Sequence, residues 1–328
     1  MTHTIPKNPP PSGVLSLREL LQQQPTPQPC LVEPGLLPPQ GILFVGGEPK
    51  VGKSLLVANL ALCMAAGGSR AGFNVSAPHR VLICQFELPV EQFAARLTGM
   101  RKAIGSAADG NLFVDTRSAG HLLSTTAGLN HFLSAARSAA AEVIVLDPLY
   151  SAHDQDENDT RAMAALCQSL LRLRNASKAA LIVVHHVRKS ISRHEIGSAF
   201  RGSSALHAVG DSYMLLTRPS PQLNAVELRF QFRYAASQPP RLLELDAHSL
   251  WFSAAGQAPA SPPSRHKVES TDVTRALADI GLQARYNELR YRIMSVTDCS
   301  KRTAQLAITQ ACREGLIIQD NGHYRLPL

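Results

Sequence analysis

The sequence predicts an α/β protein: a mostly parallel sheet with helices on both faces, an antiparallel extension of that sheet, and a small second domain. Three observations carry this. From residue 41 to about 184, short continuous apolar runs alternate with stretches of helical period, the pattern of a parallel sheet covered on both faces. After residue 210, strand-like runs follow one another without helices between them. Beyond a Pro-containing stretch, three helical patterns and two short apolar runs close the chain.

Residues 1–40 are rich in Pro and Gln and read as a flexible segment. A short helix over 16–24 interrupts it, with Ser16 as N-cap and Leu17, Leu20 and Leu21 at helical spacing. A helix of this length has no core of its own, so it is expected to dock on the following domain or on a neighbouring subunit. The main domain, 41–252, has strands expected over 42–45, 81–86, 112–114, 143–146 and 181–184, separated by helices near 55–67, 90–104, 127–140 and 160–176. Runs over 213–217, 226–232 and 242–245 form the expected antiparallel extension. Residues 253–267 have linker composition, with Pro259, Pro262 and Pro263 among Ala, Ser and Gly. The last domain, 268–328, has helical patterns over 271–280, 286–294 and 301–313, then apolar runs at 316–318 and 323–326 around Asp320-Asn321-Gly322. Three helices followed by a hairpin is the order of a winged helix.

With 328 residues, 45% hydrophobic and 18% charged, the chain has the composition of a soluble globular protein large enough for both domains. It has no apolar run of about 18 residues and no basic-then-apolar leader, so a cytoplasmic location and no membrane partner are expected. Cys30, Cys63, Cys84, Cys167, Cys299 and Cys312 are scattered without a C-x-x-C pair, which argues against disulfides and a zinc site. The net charge of +8 and isoelectric point near 9.4 suit a polyanionic partner, but equally a solubility role.

The stretch Gly47-Glu48-Pro49-Lys50-Val51-Gly52-Lys53-Ser54, followed by Leu55, lies between the first strand and the first long helix. Strand, glycine loop and helix in this order form a phosphate-binding loop. Its backbone N–H groups and the helix N-terminus would cradle the phosphates of ATP, Lys53 would reach the β- and γ-phosphates, and Ser54 would bind Mg²⁺. Asp147 ends the apolar run 143–146, where a P-loop fold needs a carboxylate for the metal, and Pro148 stops the strand there. Glu87, just past the strand over 81–86, is placed to polarise the attacking water, or else to favour the N-terminus of the next helix. His185 and His186 end the strand begun at 181. Polar groups there would face the γ-phosphate, whereas adjacent strand residues point to opposite faces and cannot easily share a metal. Residues 188–203 form a basic Gly/Ser loop, with Arg188, Lys189 and Arg193 as DNA-contacting candidates and a solvated insertion as the plain alternative. In the tail, Lys301, Arg302, Gln305, Gln310 and Arg313 suit a recognition helix, although winged helices also bind proteins.

These residues resemble the RecA-like ATPases, specifically the group of the hexameric plasmid replicative helicase RepA and, more distantly, the DnaB helicases. The resemblance rests on 31–38 before the P-loop, Asp147-Pro148-Leu149, Asp156-Glu157-Asn158-Asp159, His185-His186 with Lys189, Arg201 to Leu206, and Asp211. The segment 87–97 is also similar to the one carrying the catalytic Glu of DnaB helicases. The resemblance spans roughly 30–235. It implies Glu87 as catalytic base, His186 as γ-phosphate sensor, and Arg201 as an arginine finger entering a neighbouring subunit's site, with Arg233 as a second candidate. An arginine supplied in trans implies a homo-hexamer or other ring or filament. The N-terminal 40 residues and the winged helix both depart from the family pattern.

The expected function is that of an ATP-hydrolysing, DNA-binding motor with single-stranded or duplex DNA as partner, serving a plasmid, phage or mobile element alongside replication or loader proteins. The alternative is an ATP-switched DNA-binding regulator or accessory protein without unwinding activity. A small-molecule kinase is disfavoured, since no motif suggests an acceptor pocket.

Overall fold

The computed structural model describes residues 13–22, 28–157, 159–187, 196, 200, 204–219, 225–236, 238–257, 268–297, 299–320 and 322–327. The chain divides into two units, Met1–Gln257 and Ala258–Leu328.

The first unit opens with a short helix, α1 (Leu17–Gln22), whose Leu17, Leu20 and Leu21 are exposed. Its centre is a nine-stranded sheet. The strands are β1 (Ile42–Gly47), β4 (Val81–Gln85), β5 (Leu112–Asp115), β6 (Val143–Asp147), β7 (Ala180–His186), β8 (Ser212–Thr217), β9 (Ala225–Phe232), β10 (Arg241–Leu245) and β11 (Phe252–Gln257), with β2 (Gly68–Arg70) and β3 (Phe73–Val75) as a separate hairpin. The sheet order is β11-β10-β9-β8-β1-β7-β6-β4-β5. Strands β8, β1, β7, β6, β4 and β5 run parallel, and β9, β10 and β11 add antiparallel. The mostly parallel α/β sheet with an antiparallel extension is thus as the sequence predicts.

Two details differ. β8 pairs parallel with β1, because the short helix α6 (Ser204–Val209) provides a crossover before it; the antiparallel extension therefore starts one strand later, at β9. β11 adds an edge strand within the Ala/Ser/Gly stretch that reads as linker.

Helices α2 (Lys53–Ala66), α3 (Val90–Arg101), α4 (Thr126–Ala139) and α5 (Thr160–Ser177) form within a few residues of their sequence expectations. Thr125 caps α4 by accepting from the Gly128 N–H at 3.0 Å, and Asp159 caps α5. The alternation of side chains along the strands divides the core in two. Leu43 and Val45 pack with α2, whereas Ile42 and Phe44 pack with Phe132 of α4 and Leu170 of α5. Covering both faces leaves the carboxyl ends of the parallel strands as the open edge.

The second unit contains α7 (Ser270–Ile280), β12 (Gln283–Arg285), α8 (Tyr286–Thr297), α9 (Lys301–Arg313), β13 (Ile318–Asp320) and β14 (His323–Arg325). Its three strands form an antiparallel sheet in the order β12-β14-β13. Val273, Leu277, Leu289, Ile293, Ile308 and Tyr324 form a core of its own. Among the described residues no helix is long and apolar enough to cross a membrane.

Candidate functional site

The loop after β1 turns through Lys50 at φ 62° and Gly52 at φ 105°. A side chain at position 52 would be strained by that φ, and its Cβ would lie 3.1 Å from the Phe252 ring. At Gly47 a Cβ would come within 2.7 Å of the Leu216 carbonyl of the parallel neighbour β8. No side chain caps α2, so its first N–H groups are left for an anion.

Four residues far apart in sequence meet at this edge. Lys53 is 4% exposed; its ammonium donates to the Gly47 carbonyl at 2.8 Å and the Glu48 carbonyl at 2.9 Å, and lies 3.1 Å from His186 Nδ1. An ammonium only donates, so Nδ1 accepts and the neutral ring carries its proton on Nε2. The Ser54 hydroxyl donates to Asp147 Oδ1 at 3.0 Å. Register explains the meeting: Gly47 of β1 sits opposite His186 of β7, and β7 pairs in turn with β6, which ends in Asp147.

Burial dominates the electrostatics. It lowers Lys53 to about 8, with the charges of Asp147 and Glu87 opposing. It raises Asp147 to about 6, against the Ser54 hydrogen bond. It lowers His186, helped by the Lys53 charge. His185 is pushed down to about 4 by burial and by the charges of His186, His153 and Lys53. The Ser54 hydroxyl and Asp147 carboxylate are hard oxygen donors side by side, a set that fits Mg²⁺.

Glu87 follows β4, tied in place from two sides. Gln85 Oε1 accepts the N–H groups of Glu87 at 2.7 Å and Leu88 at 3.2 Å, and the Phe86 N–H donates to the Asp147 carbonyl at 3.2 Å. The Ser151 hydroxyl lies 3.4 Å from Glu87 Oε1. No sequence motif points to Gln85, Ser151 or Arg218, whose guanidinium donates to the Lys50 carbonyl at 3.0 Å. Only strand pairing brings Arg218, at the end of β8, beside the P-loop.

The two histidines face apart as expected. His185 Nδ1 and His153 Nε2 each lie 3.9 Å from Glu157 Oε1, on the side of β7 away from Lys53.

Arg233 is elsewhere. It donates to Asp211 Oδ1 at 3.3 Å and the Ala208 carbonyl at 3.1 Å, while Asp211 Oδ2 accepts the Ile42 N–H at 3.0 Å. This is the amino end of β1, the length of a six-residue strand, about 20 Å, from the P-loop. Lys301 and Arg302 open α9, exposed, in the second unit. Arg188, Lys189, Arg193 and Arg201 lie outside the described residues.

No curated protein sequence matches the chain. Solved structures do. A separately solved ATPase domain aligns with TM-score 0.51 and 15% identity over 66% of this chain and 85% of that one. A DnaB-like replicative helicase, solved for its interactions with primase, aligns with TM-score 0.51 and 15% identity over 66% of this chain, which spans 57% of that longer one. At this identity the likeness is one of fold, the RecA-like α/β sheet. A model of the family AAA_25, described as an AAA domain, matches residues 8–191, more than half of the chain and the whole stretch from P-loop to His186; the chain belongs to this family.

Proposed function

We propose that this protein is a Mg²⁺- and ATP-dependent DNA motor of helicase or translocase type. It acts as a ring or filament of identical subunits in replication or mobilisation of a plasmid, phage or other mobile element, and groups with the RepA helicases. The observation that carries this is the 3.1 Å contact between Lys53 and His186. It joins the phosphate-binding lysine to the end of the strand that leads into the basic segment 188–203.

Several residues then have distinct roles. Gly47 to Leu55 hold the nucleotide phosphates. Lys53 exchanges the Gly47 and Glu48 carbonyls for phosphate oxygens, which frees His186 Nδ1 to report the state of the γ-phosphate. Glu87, oriented by Gln85 and the Ser151 hydroxyl, accepts the proton of the attacking water. Ser54 and Asp147 hold Mg²⁺, which when bound neutralises charge on the transferring phosphoryl group. Arg201 serves a neighbouring subunit's site, with Arg233, about 20 Å from its own P-loop, as the second candidate for that role. Arg188, Lys189 and Arg193 grip single-stranded DNA. The second unit has the element order of a winged helix, with Lys301 and Arg302 as a further DNA contact. The helicase fold neighbour supports this reading, and its having been solved for its interactions with primase makes replication or loader proteins reasonable partners.

The test is displacement of streptavidin from a biotinylated single strand. Wild type with Mg²⁺-ATP clears the block, whereas Glu87→Gln, which keeps shape but not basicity, slows clearance at least about 100-fold. Clearance that is absent in wild type, with duplex binding intact, would shift the reading to an ATP-switched regulator.

A further inference from the structure

We propose that the second unit reads base sequence in duplex DNA through one face of α9, without need of ATP. This goes beyond the motor reading and rests only on the winged-helix reading of that unit.

The back of α9 is made of small or compact residues: Ala304, Ala307, Ile308 and Ala311 are buried. Opposite them, Arg302, Leu306, Thr309 and Arg313 form one exposed stripe at i, i+4, i+7 and i+11, with Gln305 beside it. The helix contains no acidic residue (sequence KRTAQLAITQACR).

Four carboxylates of this unit have partners other than Lys301, Arg302 and Arg313. Asp279 accepts from Arg292 at 2.9 Å, Asp320 lies 3.8 Å from Arg325, Asp272 closes the capping box of α7, and Glu314 accepts from Gln310 at 2.6 Å. Among the described residues no carboxylate pairs with Lys301, Arg302 or Arg313. Lys301, Arg302 and Arg313 thus stand on α9 as three exposed cations with no carboxylate within the helix. That is the complement of a phosphate backbone.

The stripe also carries the chemistry of base edges. Arg302 stands in the first turn, fixed by the Ser300 cap that accepts the Thr303 N–H at 3.1 Å, where recognition helices present base-contacting residues. Arginine pairs bidentately with guanine O6 and N7, and glutamine such as Gln305 with adenine N6 and N7. Leu306, 62% exposed in the middle of this polar stripe, and the Thr309 methyl are apolar partners for thymine methyl groups. Lys301 and Arg313, at the two ends, reach phosphates. The face has no aromatic side chain, the stacking platform that single strands use, so the duplex is favoured.

The experiment uses the full chain in EDTA without nucleotide, on a randomised duplex pool, followed by anisotropy on the enriched sequence with excess single-stranded oligonucleotide present. The expected result is one common motif, bound about 1,000-fold or more above random duplex and not displaced by the single strand. Arg302→Lys keeps the charge but loses the fork, and lowers that preference about tenfold. Leu306→Ala, a change on an exposed position that leaves the core intact, relaxes the preference for thymine. Arg313→Ala weakens all duplexes alike and reduces the slope of log affinity against log salt by about 1. A selection that enriches nothing, displacement by single strands, or Arg302→Lys and Leu306→Ala proteins with wild-type preference would each overturn the proposal. A protein partner for α9 would produce the first of these. None of these outcomes depends on strand translocation, which tests the motor reading separately.

Discussion

Asp147 and His185 titrate in opposite senses. With Asp147 raised from the ordinary 3.8 to about 6, the folded state holds a proton that the unfolded chain has released, so this contribution is fully present below pH 4 and disappears as pH rises to about 6. His185 is lowered from 6.5 to about 4, so the unfolded chain binds the extra proton, and stability present above pH 6.5 is lost as pH falls through 4. Each effect is worth at most about 3 kcal/mol, so over pH 4 to 6 they nearly cancel. Relative to wild type, the melting temperature of the first unit should rise with pH across this window in Asp147→Asn and fall in His185→Gln. Identical slopes in all three proteins would contradict the burial argument. At this scale the sequence disclosed the residues with motif context: the P-loop, the strand-terminal Asp147, Glu87 and His186. Gln85, Ser151 and Arg218 were hidden, because their hydrogen bonds depend on which strand ends lie side by side.

The residue that ties the P-loop helix to the antiparallel extension is Asn59 on α2. Its Nδ2 donates to the Leu250 carbonyl at 3.1 Å, and its Oδ1 accepts the Phe252 N–H at 2.8 Å. Asn59→Ala leaves the buried Phe252 N–H and the half-buried Leu250 carbonyl without these partners, which costs about 2–4 kcal/mol and should lower the first unit's melting temperature by about 5–10 °C. An unchanged transition by calorimetry would show that β11 is held by its β10 ladder alone. This clamp also explains why β11 was illegible: its Ser, Ala and Gly carry no strand pattern, and tertiary bonds make it a strand. The β2–β3 hairpin is hidden in the sequence for a related reason. Its turn has Ala71 at φ 50° and Gly72 at φ 77°, the primed geometry that Asn-Gly usually announces. The parallel strands, by contrast, are legible to within a few residues, since double-sided burial leaves a continuous apolar run.

At the scale of the whole molecule, the first unit presents the P-loop edge and, about 20 Å away at the other end of β1, Arg233. The proposed head-to-tail association would bring those two surfaces of adjacent copies together, the heterologous geometry that closes into a ring or continues as a filament. Mixing tests this. Lys53→Ala and Arg233→Ala subunits should each lose at least about 99% of ATPase activity alone. Combined, they should recover part of it, at interfaces where an intact P-loop meets an intact Arg233. No recovery in mixtures shown to co-assemble would exclude Arg233 as the residue acting in trans.

The most direct measurement is the steady-state ATPase rate of wild type and Lys53→Ala, each with and without single-stranded DNA. The account predicts Mg²⁺-dependent hydrolysis that single strands stimulate at least about tenfold, and a Lys53→Ala rate at background in both conditions. Hydrolysis that ignores single-stranded DNA would contradict the motor, and hydrolysis that survives loss of Lys53 would contradict the site itself.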